Sequence, residues 1–97
     1  MPRSPRAGRM EKSVHTAEYA ALLELLREAR RRAGVSQVEL AARLRKSQSF
    51  VSKVEVGETR LDVIQLRTIL KALGGSFRDF AARLDARLDR DARRPSR

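Results

Sequence analysis

The sequence predicts an all-α fold built from five helices, and three observations lead to this prediction. Apolar residues recur at three- and four-residue steps in successive segments, which is the spacing of one helical face. Serine or aspartate precedes several of these segments and glycine follows them, as helix caps do. No run alternates apolar and polar residues in the way that a half-buried strand would. Because the chain has 97 residues, we expect all five helices to form one small domain.

The first helix is predicted over residues 17–33, which read AEYAALLELLREARRRA and are good helix formers. Gly34 follows, at the position where a helix C-cap favours a residue that can adopt positive φ. The apolar stripe of this helix consists of Tyr19, Leu22, Leu23, Leu25, Leu26, Ala29 and Ala33. This stripe predicts the face that packs against the rest of the domain.

The second and third helices are predicted at about 37–44 and 48–55 from their capping signals. Ser36 is followed three positions later by Glu39, the spacing of a capping box, and Ser47 stands before the second run. Two short helices with a connection this brief are typical of a helix-turn-helix, whose second helix enters a DNA major groove.

The fourth helix is predicted in the segment LDVIQLRTILKAL, where Asp62 and Gln65 have the spacing of a second capping box. Gly74 and Gly75 end it. The predicted buried face consists of Val63, Leu66, Ile69, Leu70 and Leu73. These residues follow helical spacing throughout.

The fifth helix is predicted to begin after Ser76, and we expect it to fray from Asp89 onward, where no apolar stripe continues. Its apolar residues are Phe77, Phe80, Ala81, Leu84 and Leu88. The chain is therefore predicted to comprise a flexible, disordered basic arm at residues 1–15, a domain at 16–90 and a flexible basic tail at 91–97. The arm carries Arg3, Arg6, Arg9 and Lys12.

The composition indicates a polyanion as partner. The net charge is +10, and neutralising phosphates releases their counterions; the arginine usage of a GC-rich genome is the alternative explanation. The chain has no cysteine, which excludes disulfides and thiolate metal sites and is typical of a cytoplasmic protein. No apolar run approaches the ~20 residues of a membrane span. His15 is the only histidine and no catalytic motif is evident, so we expect no metal, no cofactor and no enzyme activity.

The segment from about Leu22 to Leu84 resembles the Cro/repressor-type helix-turn-helix family, also called the XRE family. The resemblance implies a lambda-repressor-like domain that binds double-stranded DNA. Arg45 stands where the turn in this family often has glycine, so the turn must hold a residue with a side chain. The likeness is carried by Arg30, Gly34, SQVELA at 36–41, SQSFVSKVE at 47–55, Gly57 and LDVIQL at 61–66.

The resemblance implies that the third helix reads DNA bases, and a helical wheel places four polar residues on one of its faces. They are Gln48, Ser49, Ser52 and Lys53, with Val51 and Val54 on the opposite side. Gln48 can donate to and accept from an adenine edge, Lys53 can donate to guanine, and Ser49 suits either. A solvated polar face is the alternative. Phe50, on the flank, either touches a thymine methyl or packs against the fourth helix.

In the family that the chain resembles, the residue matching Gln37 contacts a phosphate and braces the first side chain of the recognition helix. The pair matching Arg30 and Glu55 forms an inward-facing ion pair between the first helix and the end of the third, so we expect these two to be structural. Further phosphate contacts are expected from Arg43, Ser47, Thr59 and Arg60. For Arg43 and Arg60 an ordinary surface charge is the alternative.

These features predict a transcriptional regulator, in particular a repressor that binds a pseudo-palindromic operator as a homodimer. We expect the dimer contact on the fifth helix, at Phe80, Leu84 and Leu88. Alternatively, Phe77 and Phe80 complete the core, and only Leu84 and Leu88 remain for contact with a partner. Two other functions stay open. One is an antitoxin-type module that binds a protein partner as well as DNA, and the other is a nucleoid-type protein that binds DNA without sequence preference.

Overall fold

The computed structural model describes residues 16–93, and these form five α-helices without any strand. The helices are α1 (Ala17–Arg32), α2 (Gln37–Leu44), α3 (Gln48–Glu55), α4 (Val63–Ala72) and α5 (Phe77–Ala92). The all-α fold class is confirmed, and the bounds of α2 and α3 match the predicted ones. The predicted arm at 1–15 and the last four residues of the predicted tail lie outside the described residues.

The helix starts follow from local side-chain caps. The Ser36 hydroxyl accepts from the Glu39 backbone N–H at 3.0 Å, and the Glu39 carboxylate accepts from the Ser36 N–H at 3.3 Å. Asp62 and Gln65 form the same reciprocal pair at 2.7 and 2.9 Å. Each pair satisfies two backbone donors that the first turn of a helix leaves free. Both predicted capping boxes are therefore present.

The hydrophobic core lies where all five helices meet. Val51 and Val54, the inward residues predicted for α3, are each 2% exposed. The buried cluster consists of Leu26, Val35, Leu40, Ala41, Val51, Val54, Leu66, Ile69, Leu70 and Phe80. Because α3 presses two valines into this cluster, its opposite face is left for solvent or a ligand.

Three expectations about apolar residues need correction. Val63 was expected in the core, but it is 58% exposed because it is the first residue of α4 and lies at the rim of a groove between α1, α4 and α5. Ala33 is also exposed, since it follows the last turn of α1. Phe80 was a dimer candidate, but it packs inward from α5 and is 5% exposed, so it is not accessible to a partner.

The fifth helix does not fray at Asp89 but continues to Ala92. Arg87 explains this extension, because its Nε donates to Asp91 Oδ2 at 3.0 Å while another guanidinium nitrogen donates to Glu24 Oε1 of α1 at 2.7 Å. The hydrogen bonds to Glu24 and Asp91 raise the pKa of Arg87 above its ordinary value. Arg87 thus links the end of α5 to α1. Sequence periodicity alone does not reveal this contact.

Candidate nucleic-acid interface

The turn between α2 and α3 is closed by a residue in the left-handed region. Arg45 has φ 59° and ψ 43°, and it is the one non-glycine residue with positive φ in the described part of the chain. The N–H of Lys46 then donates to the Ala41 carbonyl at 2.9 Å. An L-residue adopts this conformation at a cost of roughly 1–2 kcal/mol. The helix-turn-helix is therefore closed here by an arginine where glycine would be unstrained.

Helix α3 follows this turn and begins at a serine cap. The Ser47 hydroxyl accepts from the Phe50 N–H at 3.1 Å, and its backbone is extended. The phosphate contact predicted for Ser47 stays a prediction, and in the structure its hydroxyl caps the helix. The cap satisfies one of the backbone donors that the first turn of α3 leaves free.

The predicted base-reading residues lie on the face of α3 opposite the core. Gln48, Ser49 and Lys53 are exposed, whereas Ser52 is half-buried. The face is uncharged at its N-terminal end and carries one cation near its C-terminal end. Such a surface offers both hydrogen-bond donors and acceptors to a ligand.

A chain of hydrogen bonds links the first residue of α3 to the interior of the domain. Gln48 Nε2 donates to Gln37 Oε1 at 2.7 Å, and Gln37 Nε2 donates to Glu55 Oε1 at 2.9 Å. Gln37 is the first residue of α2 and is half-buried. We call Glu55, Gln37 and Gln48 the amide relay. It holds the Gln48 side chain against α2 and limits its rotamers.

The inner end of the amide relay is a buried ion pair. The Glu55 side chain is 4% exposed and the Arg30 side chain 12%. Arg30 Nε donates to Glu55 Oε2 at 2.7 Å, and Arg30 NH2 donates to Oε1 at 3.1 Å, which gives a bidentate pair. Arg30 NH1 also donates to the Val35 carbonyl at 3.0 Å, and Arg27 NH1 donates to the Glu55 carbonyl at 2.7 Å. The pair joins α1 to the end of α3.

Of the residues predicted to contact phosphates, several have partners inside the domain. Arg43 NH1 donates to the Ala72 carbonyl at 2.8 Å and so caps the C-terminal end of α4. The Arg60 guanidinium lies 4.3 Å from the centre of the Tyr19 ring, and Thr59 is half-buried. Each of these side chains remains at the surface or at its edge. Their roles toward DNA stay predictions.

The structure reveals residues near this surface that sequence reasoning did not assign. Arg45 and Lys46 are exposed cations in the turn beside the start of α3. Tyr19 fixes the loop before α4, since its hydroxyl accepts from the Leu61 N–H at 3.1 Å. The position of Arg45 and Lys46 in the sequence, within the predicted turn before the third helix, could have identified these two cations as candidates. Nothing in the sequence could show that Tyr19 meets a residue so far along the chain.

Phe50 packs against the core rather than standing clear on the flank of α3. Its ring is half-buried among the residues that flank the hydrophobic cluster, and Lys46 Nζ lies 5.3 Å from the ring centre. This favours the packing alternative.

The described residues offer neither a metal site nor a membrane span. No group of three or more histidine, cysteine, aspartate or glutamate side chains in residues 16–93 could hold a metal ion. In the same part of the chain, no helix has the length and apolar content needed to cross a membrane.

Comparisons with known proteins agree with this geometry. A family described as helix-turn-helix matches residues 26–80. A solved structure of an XRE-family like protein from Pseudomonas syringae pv. tomato str. DC3000 is 49% identical in sequence, with a TM-score of 0.71. That similarity covers 77% of this chain and 92% of the Pseudomonas chain. No curated protein matches the sequence.

Proposed function

The chain belongs to the XRE family of helix-turn-helix proteins, whose members are DNA-binding regulators, and we propose that it is a repressor that binds a pseudo-palindromic operator as a homodimer. In this proposal α3 lies in the major groove. The base-reading residues are Gln48, Ser49, Ser52 and Lys53. The two protomers of the dimer would address half-sites about one helical turn, ~34 Å, apart.

The observation that carries the proposal is the amide relay at the start of α3. Gln48 is exposed, yet its amide is held 2.7 Å from Gln37. An ordinary solvated glutamine gains nothing from such restraint, whereas a side chain that must meet a base edge loses less entropy on binding when it is already positioned.

Positive charge and backbone donors around α3 support the phosphate contacts. Arg45 and Lys46 precede the helix, and Arg60 follows it in the loop before α4. The N-terminus of α2 at Gln37 also presents backbone N–H groups to an anion. We propose that these groups, with Arg43, Ser47, Thr59 and the basic segment 1–15, position the domain on the DNA backbone without reading sequence.

The dimer contact is proposed at α5 and the groove beside it. Leu84 and Leu88 are half-buried on α5. Leu84 lines the groove together with Leu22 and Phe77, and the exposed Val63 lies at the rim. A two-fold dimer, which a palindromic operator requires, uses the same patch of both protomers, so this apolar patch would meet its own copy.

The test is selection of binding sites from a random DNA pool, followed by competition of the recovered sequence against bulk DNA. We expect an enriched palindrome. Gln48→Ala should lower affinity for it by about 1–3 kcal/mol and relax discrimination at one base pair. Lys46→Ala is the matched control, because removing a cation that faces phosphate should weaken binding to cognate and random DNA equally.

The other outcomes separate the alternative functions. Tight, salt-sensitive binding without an enriched sequence would indicate the nucleoid-type protein. An absence of DNA binding would contradict the regulator and direct attention to a protein partner, as in an antitoxin. Leu84→Asp tests the dimer: a monomer that binds only a half-site supports the proposed interface, whereas an unchanged dimer contradicts it.

A further inference from the structure

We propose that a groove between α4 and the helix-turn-helix binds an acidic segment of another protein, which inserts one large apolar side chain. The groove has a volume of about 170 Å³, and its apolar lining consists of Leu44, Phe50, Ile64 and Ile69. It shares no lining residue with the groove at α5 that is proposed for the dimer. Such binding would not involve DNA and goes beyond the proposed function.

The exposed side chain of Ile64 marks one wall of this groove. Ile64 is 67% exposed, the highest value among the large apolar residues of the described part of the chain. Single apolar residues on a surface are ordinary, but Ile64 lines the same groove as the half-buried ring of Phe50. One inserted side chain would therefore cover apolar surface of both α3 and α4.

The size and lining of the groove favour a single side chain over a small-molecule ligand. Small-molecule sites have volumes of about 300–1,000 Å³, well above that of this groove. Two of its polar groups are also already engaged. The Thr68 hydroxyl donates to the Ile64 carbonyl at 3.0 Å, and the Gln65 side-chain carbonyl accepts from the Asp62 N–H at 2.9 Å. The groove thus offers apolar contact rather than a set of hydrogen bonds for a polar ligand.

The charge beside the groove is positive. Lys46 lines it, with Nζ 5.3 Å from the centre of the Phe50 ring. Lys71 follows Thr68 by three residues and so lies one turn further along the same side of α4. Within residues 16–93 neither lysine forms an ion pair. Both ammonium groups are therefore available to carboxylates of a partner.

The sequence places no negative charge on either wall of the groove. No aspartate or glutamate occurs in residues 40–54, which include the end of α2 and most of α3. The same is true of residues 63–78, which include all of α4. A surface with charge of one sign attracts a partner of the opposite sign and repels one of its own.

These features together favour an acidic protein segment over other occupants. A second copy of the chain would bring the same lysines together across a two-fold axis, which is repulsive. DNA would neutralise Lys46 but would leave Ile64 and Phe50 uncovered, because phosphates offer no apolar surface. A segment with carboxylates around one large apolar side chain satisfies both the cations and the groove.

The test titrates the full chain with three sets of synthetic peptides and follows fluorescence polarisation. The first set has a central leucine, phenylalanine or tryptophan flanked by aspartate and glutamate. The second keeps the apolar centre but replaces the acids by asparagine and glutamine, and the third keeps the acids around a central alanine. We expect the best peptides of the first set to bind about tenfold more tightly than their counterparts in the other two.

Variants of the chain locate the binding site. Ile64→Ala should weaken the best peptide by about tenfold, and it should not disturb the fold, because the side chain is exposed and alanine favours a helix. Val38→Ala is the matched control, since Val38 is 66% exposed on α2 but does not line the groove, and it should leave the affinity unchanged. Lys71→Gln should weaken binding by about threefold and reduce its dependence on salt.

Several results would overturn the proposal. Equal binding of acidic peptides with apolar and with alanine centres, or an affinity that Ile64→Ala leaves unchanged, would mean that the basic surface attracts acids without a docking groove. Loss of a dimer in Ile64→Ala, measured by sedimentation, would assign the groove to a second copy of the chain. Loss of DNA affinity in this variant, with peptide binding unchanged, would assign it to DNA.

Discussion

Replacing Arg30 by methionine should destabilise the domain strongly, because it removes the partner of a buried carboxylate. The Glu55 side chain, 4% exposed, would lose hydrogen bonds of 2.7 and 3.1 Å and keep only the one from Gln37 at 2.9 Å. Breaking a buried pair from one side costs about 3–5 kcal/mol. The remaining hydrogen bond places the expected loss near the lower end, at about 3 kcal/mol.

That loss is large for a domain of this size, whose total stability is of order 5–15 kcal/mol. It corresponds to a fall in melting temperature of about 12–24 °C. The double variant Arg30→Met/Glu55→Leu removes both charges and should recover most of the loss, since an apolar pair of similar volume needs no partner. The two single changes and the double form a cycle that isolates the pair.

The assay is urea unfolding followed by circular dichroism. The slope of the free energy of unfolding against urea concentration should be the same for all variants. Arg32→Met is the matched control, because the Arg32–Glu28 pair is 3.5 Å long and 54% and 51% exposed. Such a surface pair contributes at most about 1 kcal/mol. A loss below about 1 kcal/mol for Arg30→Met, or a double variant as unstable as the single, would refute the argument.

Three further changes test other parts of the structure. Arg45→Gly should raise the free energy of unfolding by about 0.5–1 kcal/mol because it relieves the left-handed backbone, whereas Arg45→Ala should not. Tyr19→Phe should lower it by about 1 kcal/mol, since the Leu61 N–H loses its acceptor; urea unfolding measures both. Deleting residues 1–12 should flatten the dependence of log affinity on log salt by about 0.9 for each phosphate that the segment neutralises, and an unchanged slope would mean that this segment does not touch DNA.

The helix bounds were predictable wherever a cap lies next to the helix in sequence. Ser36 with Glu39 and Asp62 with Gln65 are three residues apart, so local sequence alone determines where α2 and α4 begin. The end of α5 was not predictable, because it depends on Arg87 meeting Glu24 of α1. Periodicity within α5 cannot show which residue of α1 will lie beside it.

The residues alone predicted the candidate site as a set of faces, and the family resemblance added two links of its network, Gln37 to Gln48 and Arg30 to Glu55. The wheel separates Gln48 from Val51 and Val54, because helical geometry alone decides this. The bond from Arg43 to the Ala72 carbonyl joins α2 to the end of α4, and it appears only once those helices pack. The same holds for the bond from Gln37 to Glu55, which makes the relay continuous and requires that the start of α2 lies near the end of α3.

Because of the amide relay, substitutions at Glu55 and at Gln37 should have different consequences. Glu55 pairs with Arg30 of α1 and, through Gln37, holds the Gln48 amide, so in the proposed function a change at Glu55 should alter stability and base readout together. Gln37 lies between them and has no part in the ion pair, so a change there should alter readout while the core remains intact. If the chain binds an operator as proposed, altered operator preference should therefore arise more readily by substitution at Gln37 than at Glu55, because small domains tolerate little loss of stability.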